Sequence, residues 1–177
     1  MARARIYYWD SSVFIAFFKP EAGRVDAVTQ FLEEAEAGEV VIVTSFMTIT
    51  EVIKIQDRKP KSEEEQRKII RFFQKDFFEW VNFDRQTAEL SRQLIWKHDG
   101  LKSKDAVHIA SAIQATSQGV KFDAVHAYDA IFASLSGKVD GLNCPMEQPL
   151  PPQLTMLLGD ARRTKSGRAK VKRQGAS

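Results

Sequence analysis

Residues 6–12 of the chain read Ile-Tyr-Tyr-Trp-Asp-Ser-Ser, and this stretch decides the fold class. Its first four side chains are β-branched or aromatic, which predicts a short buried strand, and the Asp-Ser-Ser that follows predicts a turn. Apolar residues then recur at helical spacing in residues 13–18 and again in residues 21–37. This part of the chain therefore reads as a strand followed by helices, the first unit of an alternating pattern.

The alternation of strands and helices continues along the chain. Further strands are predicted at residues 40–43, 78–83, 122–127 and 139–142. Further helices are predicted after Ser45, where one carries Glu51, and at residues 62–73, 85–97 and 103–118, with caps at Ser62 and Ser103. Because nearly continuous apolar strands separated by helices are typical of parallel sheets covered on both faces, the fold class is α/β.

Composition indicates one folded domain with a basic appendage. The chain has 177 residues, 44% of them hydrophobic, and we expect a single domain over residues 1–147. Residues 148–177 read as a Pro-containing linker and a basic, disordered tail, in which seven basic residues face one acid from Asp160 onward. This tail could capture phosphates electrostatically, or it could simply be solvated.

Several classes of protein are excluded by simple counts. Cys144 is the single cysteine, which rules out an intrachain disulfide and a zinc site built of cysteines alone. The apolar runs fall well short of the ~20 residues that span a bilayer, so we expect a cytoplasmic protein without a membrane partner. A P-loop and a Gly-x-Gly-x-x-Gly run are absent, which argues against a nucleotide cofactor.

Four acidic residues are predicted to converge on one edge of the sheet. Asp10 and Asp129 directly follow strands, Glu51 lies on the helix after the second strand, and Asp105 lies in the first turn of a helix. Two like charges about 4 Å apart repel by roughly 4 kcal/mol at an effective dielectric of about 20. Since Mg²⁺ or Mn²⁺ removes that cost and can activate water beside a phosphate, the pattern is that of a phosphodiester-hydrolysing site.

The segments that carry these acids resemble a known family. Asp10-Ser11-Ser12 and the blocks at residues 48–52, 104–113 and 128–129 are similar to the acidic motifs of PIN-domain nucleases. Among these proteins, the chain most resembles the toxin subunits of VapBC toxin–antitoxin pairs. The resemblance covers roughly residues 5–145, and its most specific part is the Asp-Ala-x-x-Ile-Ala-x-Ala-Ile block that begins at Asp105.

The resemblance implies a fold, an activity and a set of partners. It implies a three-layer α/β/α sandwich around a parallel sheet of four to five strands, and a ribonuclease that depends on Mg²⁺ or Mn²⁺. Asp10, Glu51, Asp105 and Asp129 would be its catalytic and metal-binding acids, and Ser12 would support them by hydrogen bonding. The expected partners are an RNA substrate, a small antitoxin protein that contacts the helices around residues 45–79, and a second copy of the chain.

Two other functions stay open beside this one. Proteins of this family usually carry Thr or Ser two residues before the last acid, where this chain has Ala127. That departure, together with the basic tail, motivates a PIN fold that binds RNA or protein without cleaving it. A PIN nuclease that acts in RNA processing is the third interpretation.

Each candidate acid also has an ordinary structural interpretation. Asp10 and Asp129 could only cap the helices that follow them, Asp105 could only favour the helix dipole, and Glu51 could be a solvated charge. His108, one turn after Asp105, could face the site, although we expect a hydrogen-bonded core or surface role. Basic residues that could hold an RNA backbone near the acids are Lys54, Arg58, Lys59, Lys61, Lys102 and Lys104.

Overall fold

The computed structural model describes residues 3–20, 22–52 and 62–150 of the chain. The strands are β1 (Arg5–Trp9), β2 (Val40–Ser45), β3 (Phe78–Val81), β4 (Ala124–His126) and β5 (Met146–Glu147). The helices are α1 (Ser11–Phe18), α2 (Val25–Glu36), α3 (Met47–Val52), α4 (Glu63–Phe72), α5 (Arg85–Lys97), α6 (Ser103–Ser117) and α7 (Ala130–Leu135).

All five strands form one parallel sheet in the order β3-β2-β1-β4-β5. Strand β1 lies at the centre, where Tyr8 pairs with Val43 on one side and with Val125 on the other. A parallel sheet needs cover on both faces, and Tyr8 and Trp9, which point to opposite faces, are both fully buried. The predicted α/β/α sandwich with a parallel sheet is thereby confirmed.

Two apolar clusters fill the space between the sheet and its helices. One cluster contains Tyr8 together with side chains of α5, α6 and α7, and the other contains Trp9 together with side chains of α1, α2 and α4. Helix α6 enters its cluster with small residues, Ala106, Ala110 and Ala112, which let the helix approach the sheet closely. The first turn of α6 is thus held near the carboxyl ends of the central strands.

Side chains at the helix starts fix several of these elements. The predicted capping box of α4 is confirmed: Ser62 Oγ accepts from the Glu65 backbone N–H, and the Glu65 side chain accepts from the Ser62 backbone N–H. Helix α6 differs from expectation, because Lys102 rather than Ser103 stands at its N-cap and makes no side-chain cap bond. Helix α2 begins at Val25 rather than at residue 21, since Gly23 turns the chain with a φ of +80°.

The prediction of the fifth strand was wrong in position. Residues 139–142 lie outside the sheet, and the strand that pairs with β4 is Met146–Glu147. Gly137 and Gly141 both adopt positive φ, so this segment turns back on itself and cannot run as a strand. Val139 and Leu142 are instead buried in the apolar cluster that contains Tyr8 and side chains of α5, α6 and α7. This burial, rather than strand pairing, accounts for their apolar side chains.

Some sequence predictions fall outside the described residues. The predicted basic tail lies beyond residue 150, and Lys54, Arg58, Lys59 and Lys61 lie in residues 53–61. The domain boundary after residue 147 therefore stays a prediction. Among the helices of the described segments, none combines the length and the apolar character needed to cross a membrane.

Candidate active site

Asp10 ends the central strand and begins the first helix. Its backbone N–H donates to the His126 carbonyl oxygen over 3.0 Å, and its Oδ1 accepts from the Ser12 backbone N–H over 2.7 Å. The side chain is therefore the N-cap of α1, as the ordinary interpretation expected. The other carboxylate oxygen of Asp10, Oδ2, lies 3.7 Å from His108 Nε2. The cap bond therefore also orients the carboxylate towards a second polar group.

Glu51 is buried on α3 and has a partner on each carboxylate oxygen. His108 Nε2 lies 2.8 Å from Oε2, and Lys104 Nζ lies 2.9 Å from Oε1. Burial by itself would raise the pKa of Glu51, but the hydrogen bonds from His108 and Lys104 lower it to about 2. Glu51 is therefore ionised at neutral pH and is not the solvated surface charge of the ordinary interpretation.

The short helix α3 is joined to the central strand by hydroxyl groups. Thr44 Oγ1 donates to the Trp9 carbonyl oxygen over 2.8 Å and lies 2.7 Å from Thr48 Oγ1. Both threonines are fully buried, so these contacts are shielded from water. They hold the start of α3 beside the end of β1, which brings Glu51 to the same sheet edge as Asp10.

Asp105 lies half-buried in the first turn of α6, and its surroundings raise its pKa. Burial is the largest cause that raises its pKa, followed by the negative charges of Asp10 and Asp129, and the result is a pKa of about 6. The charges of Asp10 and Asp129 therefore reach Asp105, and a shared metal site for the three acids stays a prediction.

Asp129 is the exposed member of the group. Its Oδ1 accepts from the Ile131 backbone N–H over 3.1 Å, which makes it the N-cap of α7. Next to it, the Tyr128 backbone N–H donates to Ser12 Oγ over 2.9 Å and ties the β4–α7 turn to α1. The Ser12 hydroxyl thus accepts from the residue before Asp129, and its support of a carboxylate stays a prediction. Ala127 is buried and offers no side-chain hydrogen bond.

His108 is a residue of the site that the sequence left open between a place facing the acids and a place in the core. It is fully buried as expected of a core residue, but its Nε2 contacts Glu51 and its Nδ1 lies 3.0 Å from the Tyr8 hydroxyl. Burial lowers its pKa, while the charges of Asp10, Glu51 and Asp105 act in the opposite sense and leave it raised overall. The available signal was its spacing, because a residue three positions after Asp105 lies on the same helix face.

The donors at this edge are carboxylate oxygens, the type that a hard divalent cation prefers. Asp10 and Glu51 both face His108 Nε2, Lys104 binds Glu51, and the charges of Asp10 and Asp129 act on Asp105. The repulsion that raises the pKa of Asp105 is the cost that an oxygen-preferring dication removes. Among the described residues, which include all four acids, no three or more Asp, Glu, His or Cys side chains are arranged as ligands of one ion.

The two predicted basic flanks that the structure describes lie at the rim of this group. Lys104 is largely exposed yet binds Glu51, and Lys102 is also exposed. The positive charge of Lys102 slightly opposes the rise in the pKa of Asp105. Both ammonium groups therefore sit where a polyanion approaching the carboxylates would meet them.

Comparison with known proteins finds a family that matches most of the chain. The PIN domain family matches residues 7–138 of the chain, a range that contains Asp10, Glu51, Asp105 and Asp129. No curated protein matches the chain.

Three solved structures share the fold at low sequence identity. They are the sarcin–ricin loop cleaving toxin VapC20 of Mycobacterium tuberculosis (14% identity, TM-score 0.56), the VapBC2 complex of Rickettsia felis bound to a promoter DNA fragment (18%, 0.55), and a toxin–antitoxin complex of Klebsiella pneumoniae (21%, 0.53). The alignments cover 72%, 80% and 82% of this chain and 93%, 98% and 98% of those chains, respectively. At these identities the likeness concerns the fold.

Proposed function

Because the chain belongs to the PIN domain family, we propose that it is a metal-dependent endoribonuclease and the toxin of a type II toxin–antitoxin pair. The single observation that carries this proposal is that buried Asp10 and Glu51 face the same His108 nitrogen, at 3.7 and 2.8 Å. The pKa of Asp105, raised to about 6 by burial and by the charges of Asp10 and Asp129, supports it, since a cation would offset such repulsion. The fold shared with VapC toxins supports the same assignment.

The residues proposed to hold Mg²⁺ or Mn²⁺ are Asp10, Asp105 and Asp129, with Glu51 beside them. When bound, such an ion supplies a water of lowered pKa and stabilises negative charge on a phosphate. The Ser11 hydroxyl also hydrogen-bonds Glu51 and helps to lower the pKa of that carboxyl. We propose direct hydrolysis by an activated water, without a covalent enzyme intermediate.

The remaining residues of the site are proposed to bind and orient the RNA. Lys102 and Lys104 lie at the rim with exposed ammonium groups, which favours contacts to the phosphates on either side of the scissile bond. Such contacts are independent of base sequence, so they would position the backbone and leave the choice of target to other surfaces.

The test is cleavage of a single-stranded RNA by the purified protein with Mn²⁺ or Mg²⁺. We expect cleavage that EDTA abolishes and that Asp10→Asn reduces by at least about 100-fold, because Asp10 is both buried and close to the other acids. Asp26→Asn, an exposed acid in the first turn of α2, is the matched control and should cleave normally. Undiminished cleavage by Asp10→Asn would contradict the proposal.

A non-cleaving RNA-binding protein is the second candidate function. It is favoured by buried Ala127, which replaces a hydroxyl residue usual in this family, and by the lack of a preformed set of metal ligands among the described residues. Calorimetry separates the two functions. RNA binding without any Mn²⁺ binding would support this second candidate, whereas Mn²⁺ binding that Asp10→Asn removes would support the nuclease.

The proposed antitoxin partner has its support in two exposed apolar side chains. Phe46 and Ile70 are 43% and 56% exposed, and both lie in the segment around residues 45–79. We expect the product of a small gene beside this one to co-purify with the chain and to inhibit RNA cleavage. If no such gene lies nearby, a PIN nuclease of RNA processing becomes the better interpretation.

A further inference from the structure

A buried chain of hydrogen bonds leads from the core of the protein to the acidic site. The Tyr8 hydroxyl lies 3.0 Å from His108 Nδ1, and His108 Nε2 lies 2.8 Å from Glu51 Oε2. We propose that His108 is a positioning residue that fixes the Glu51 carboxylate, and that Tyr8 in turn fixes the imidazole. This inference rests on the proposed function, since it assigns a role within the proposed nuclease site.

The burial of the two polar side chains argues that their bonds are needed. Tyr8 and His108 are both completely buried, and a polar group in such a place is costly unless it is hydrogen-bonded. The Tyr8 hydroxyl can donate to a neutral Nδ1 or accept from a protonated one, so it pairs with the imidazole in either charge state. In both states Nε2–H donates to Glu51, and Tyr8 fixes the ring orientation that presents this donor.

Glu51 needs such a holder because of where it lies. Helix α3 has only six residues, and a glutamate side chain has several rotatable bonds whose freedom is lost when it is held in place. Lys104 contacts Glu51 from a side chain that is 67% exposed, and ion pairs at exposed positions are weak. The Ser11 hydroxyl also hydrogen-bonds Glu51. His108 approaches from the interior with a planar ring, and is therefore a more rigid contact than Lys104.

The position of His108 also couples two of the acids. Its Nε2, which bonds Glu51, lies 3.7 Å from Asp10 Oδ2, so the same nitrogen faces both carboxylates. Asp10 is fixed independently by its cap bond to the Ser12 backbone N–H. The imidazole thus helps to set the spacing between the two carboxylates.

The test compares His108→Gln, His108→Leu and Tyr8→Phe in two measurements. The first is Mn²⁺ binding by calorimetry in the absence of RNA, and the second is kcat and KM for RNA cleavage. Hydrogen-bonding partners of metal ligands typically contribute 10- to 100-fold to metal affinity or activity. We therefore expect His108→Leu to weaken Mn²⁺ binding or kcat by about 10- to 100-fold, with KM for RNA little changed.

The conservative variants separate positioning from packing. The side-chain amide of Gln can donate to Glu51 as Nε2–H does, so His108→Gln should recover most of the loss seen in His108→Leu. Tyr8→Phe keeps the ring and removes only the hydroxyl, so it should weaken Mn²⁺ binding or kcat while the protein stays folded. Matched controls are Tyr7→Phe and His126→Leu, which alter a partly buried and a buried residue on the opposite face of the sheet.

Three results would overturn the inference. One is wild-type Mn²⁺ affinity and kcat in both His108→Leu and Tyr8→Phe. Another is an equal loss in His108→Gln and His108→Leu that follows their melting temperatures, since a purely structural role predicts this. The third is a wild-type protein that binds no Mn²⁺, which removes the proposed function as well. If the wild type binds Mn²⁺ but cleaves none of the RNAs offered, the binding measurement alone still decides the role of His108.

Discussion

Asp105 is the site residue whose negative charge destabilises the folded protein. Its pKa is raised from 3.8 to about 6 in the folded protein, by burial first and then by Asp10 and Asp129. A carboxyl group with a raised pKa binds protons more tightly when folded, so its ionised form destabilises the native state. This penalty is fully present above pH 6 and falls away as the pH is lowered towards 3.8.

We therefore predict that Asp105→Asn stabilises the protein in the absence of metal. At pH 7 in EDTA, the free energy of unfolding should rise by about 1–2 kcal/mol, after allowance for screening by solvent. Urea unfolding measures this change, and the gain should shrink at pH 4.5. Asp26→Asn should give no gain. A less stable Asp105→Asn protein would contradict the electrostatic account of the site.

His126 gives a pH dependence of the opposite sign. Burial lowers its pKa to about 3, and its Nδ1 has no hydrogen-bond partner in the described part of the chain. A histidine with a lowered pKa stays neutral when folded but takes up a proton when unfolded below pH 6.5. Its contribution to stability is therefore complete above pH 6.5 and is lost as the pH falls towards 3.

The variant His126→Phe should remove this dependence. Phenylalanine can keep the ring stacking on Tyr7, whose centroid lies 4.7 Å from that of His126. Between pH 6 and pH 4, the wild type should lose up to about 1.4 kcal/mol per pH unit relative to the variant. Urea unfolding at several pH values measures the difference. Parallel pH profiles of the two proteins would show that His126 is not held neutral in the native state.

At the scale of elements, helix α6, which carries both Asp105 and His108, is fixed to α5 by hydrogen-bonded side chains. We call this group, Asp84, Thr87 and Gln114, the polar joint. Thr87 Oγ1 on α5 binds Gln114 Oε1 on α6, and Gln114 Nε2 donates to Asp84 Oδ2 over 3.1 Å. Thr87 is fully buried and Gln114 nearly so. Because each polar atom depends on the others, the joint specifies how α5 and α6 are aligned.

We predict that Thr87→Val destabilises the protein by about 1–3 kcal/mol. The substitution keeps the shape of the side chain but leaves the buried Gln114 oxygen without its donor. Thr116→Val on α6 is the control, because the Thr116 hydroxyl donates only to the carbonyl of Ala112 within its own helix. Chemical denaturation of both variants tests the difference, and equal effects would argue against the joint.

The sequence allowed most elements and the acidic edge to be predicted, for a simple physical reason. Apolar strands alternating with helices permit few topologies, and in these Asp10 and Asp129 must follow neighbouring strands. His108 could not be assigned in this way, because its partner Glu51 is 57 residues away and periodicity reports only that a residue is buried. The prediction of a strand at residues 139–142 failed for a related reason. Residues buried in a cluster between helices and residues buried in a sheet give the same apolar pattern in the sequence.

At the scale of the whole molecule, the proposed metal should act as a stabilising ligand. A ligand that binds only the folded state adds about 2.7 kcal/mol at a concentration of 100 times its Kd. We predict that Mn²⁺ raises the Tm of the wild type and of Asp26→Asn in thermal unfolding, and that EDTA reverses the shift. Asp10→Asn should show little or no shift. An identical shift in Asp10→Asn would place the bound ion elsewhere.

Thermal unfolding should also show that the wild type and Asp105→Asn exchange their order of stability when EDTA is replaced by Mn²⁺. Asp105→Asn is expected to be more stable than the wild type in EDTA, because a like charge is gone. In Mn²⁺ it should lose that advantage, because the wild type gains binding energy that the variant lacks. A Tm of Asp105→Asn above that of the wild type in EDTA, but not in Mn²⁺, would show that the bound ion offsets the repulsion between the acids.

The parallel order of the sheet has a consequence for how the protein is made. The central strand β1 is completed only when β4 pairs with it, and the hydrogen bond that joins their ends, Ser12 to Tyr128, links residues 116 apart. On the ribosome, Asp10 therefore emerges long before Asp105 and Asp129 can stand beside it. If these carboxylates cut RNA together, a nascent chain cannot harm the transcript or the ribosome that is producing it.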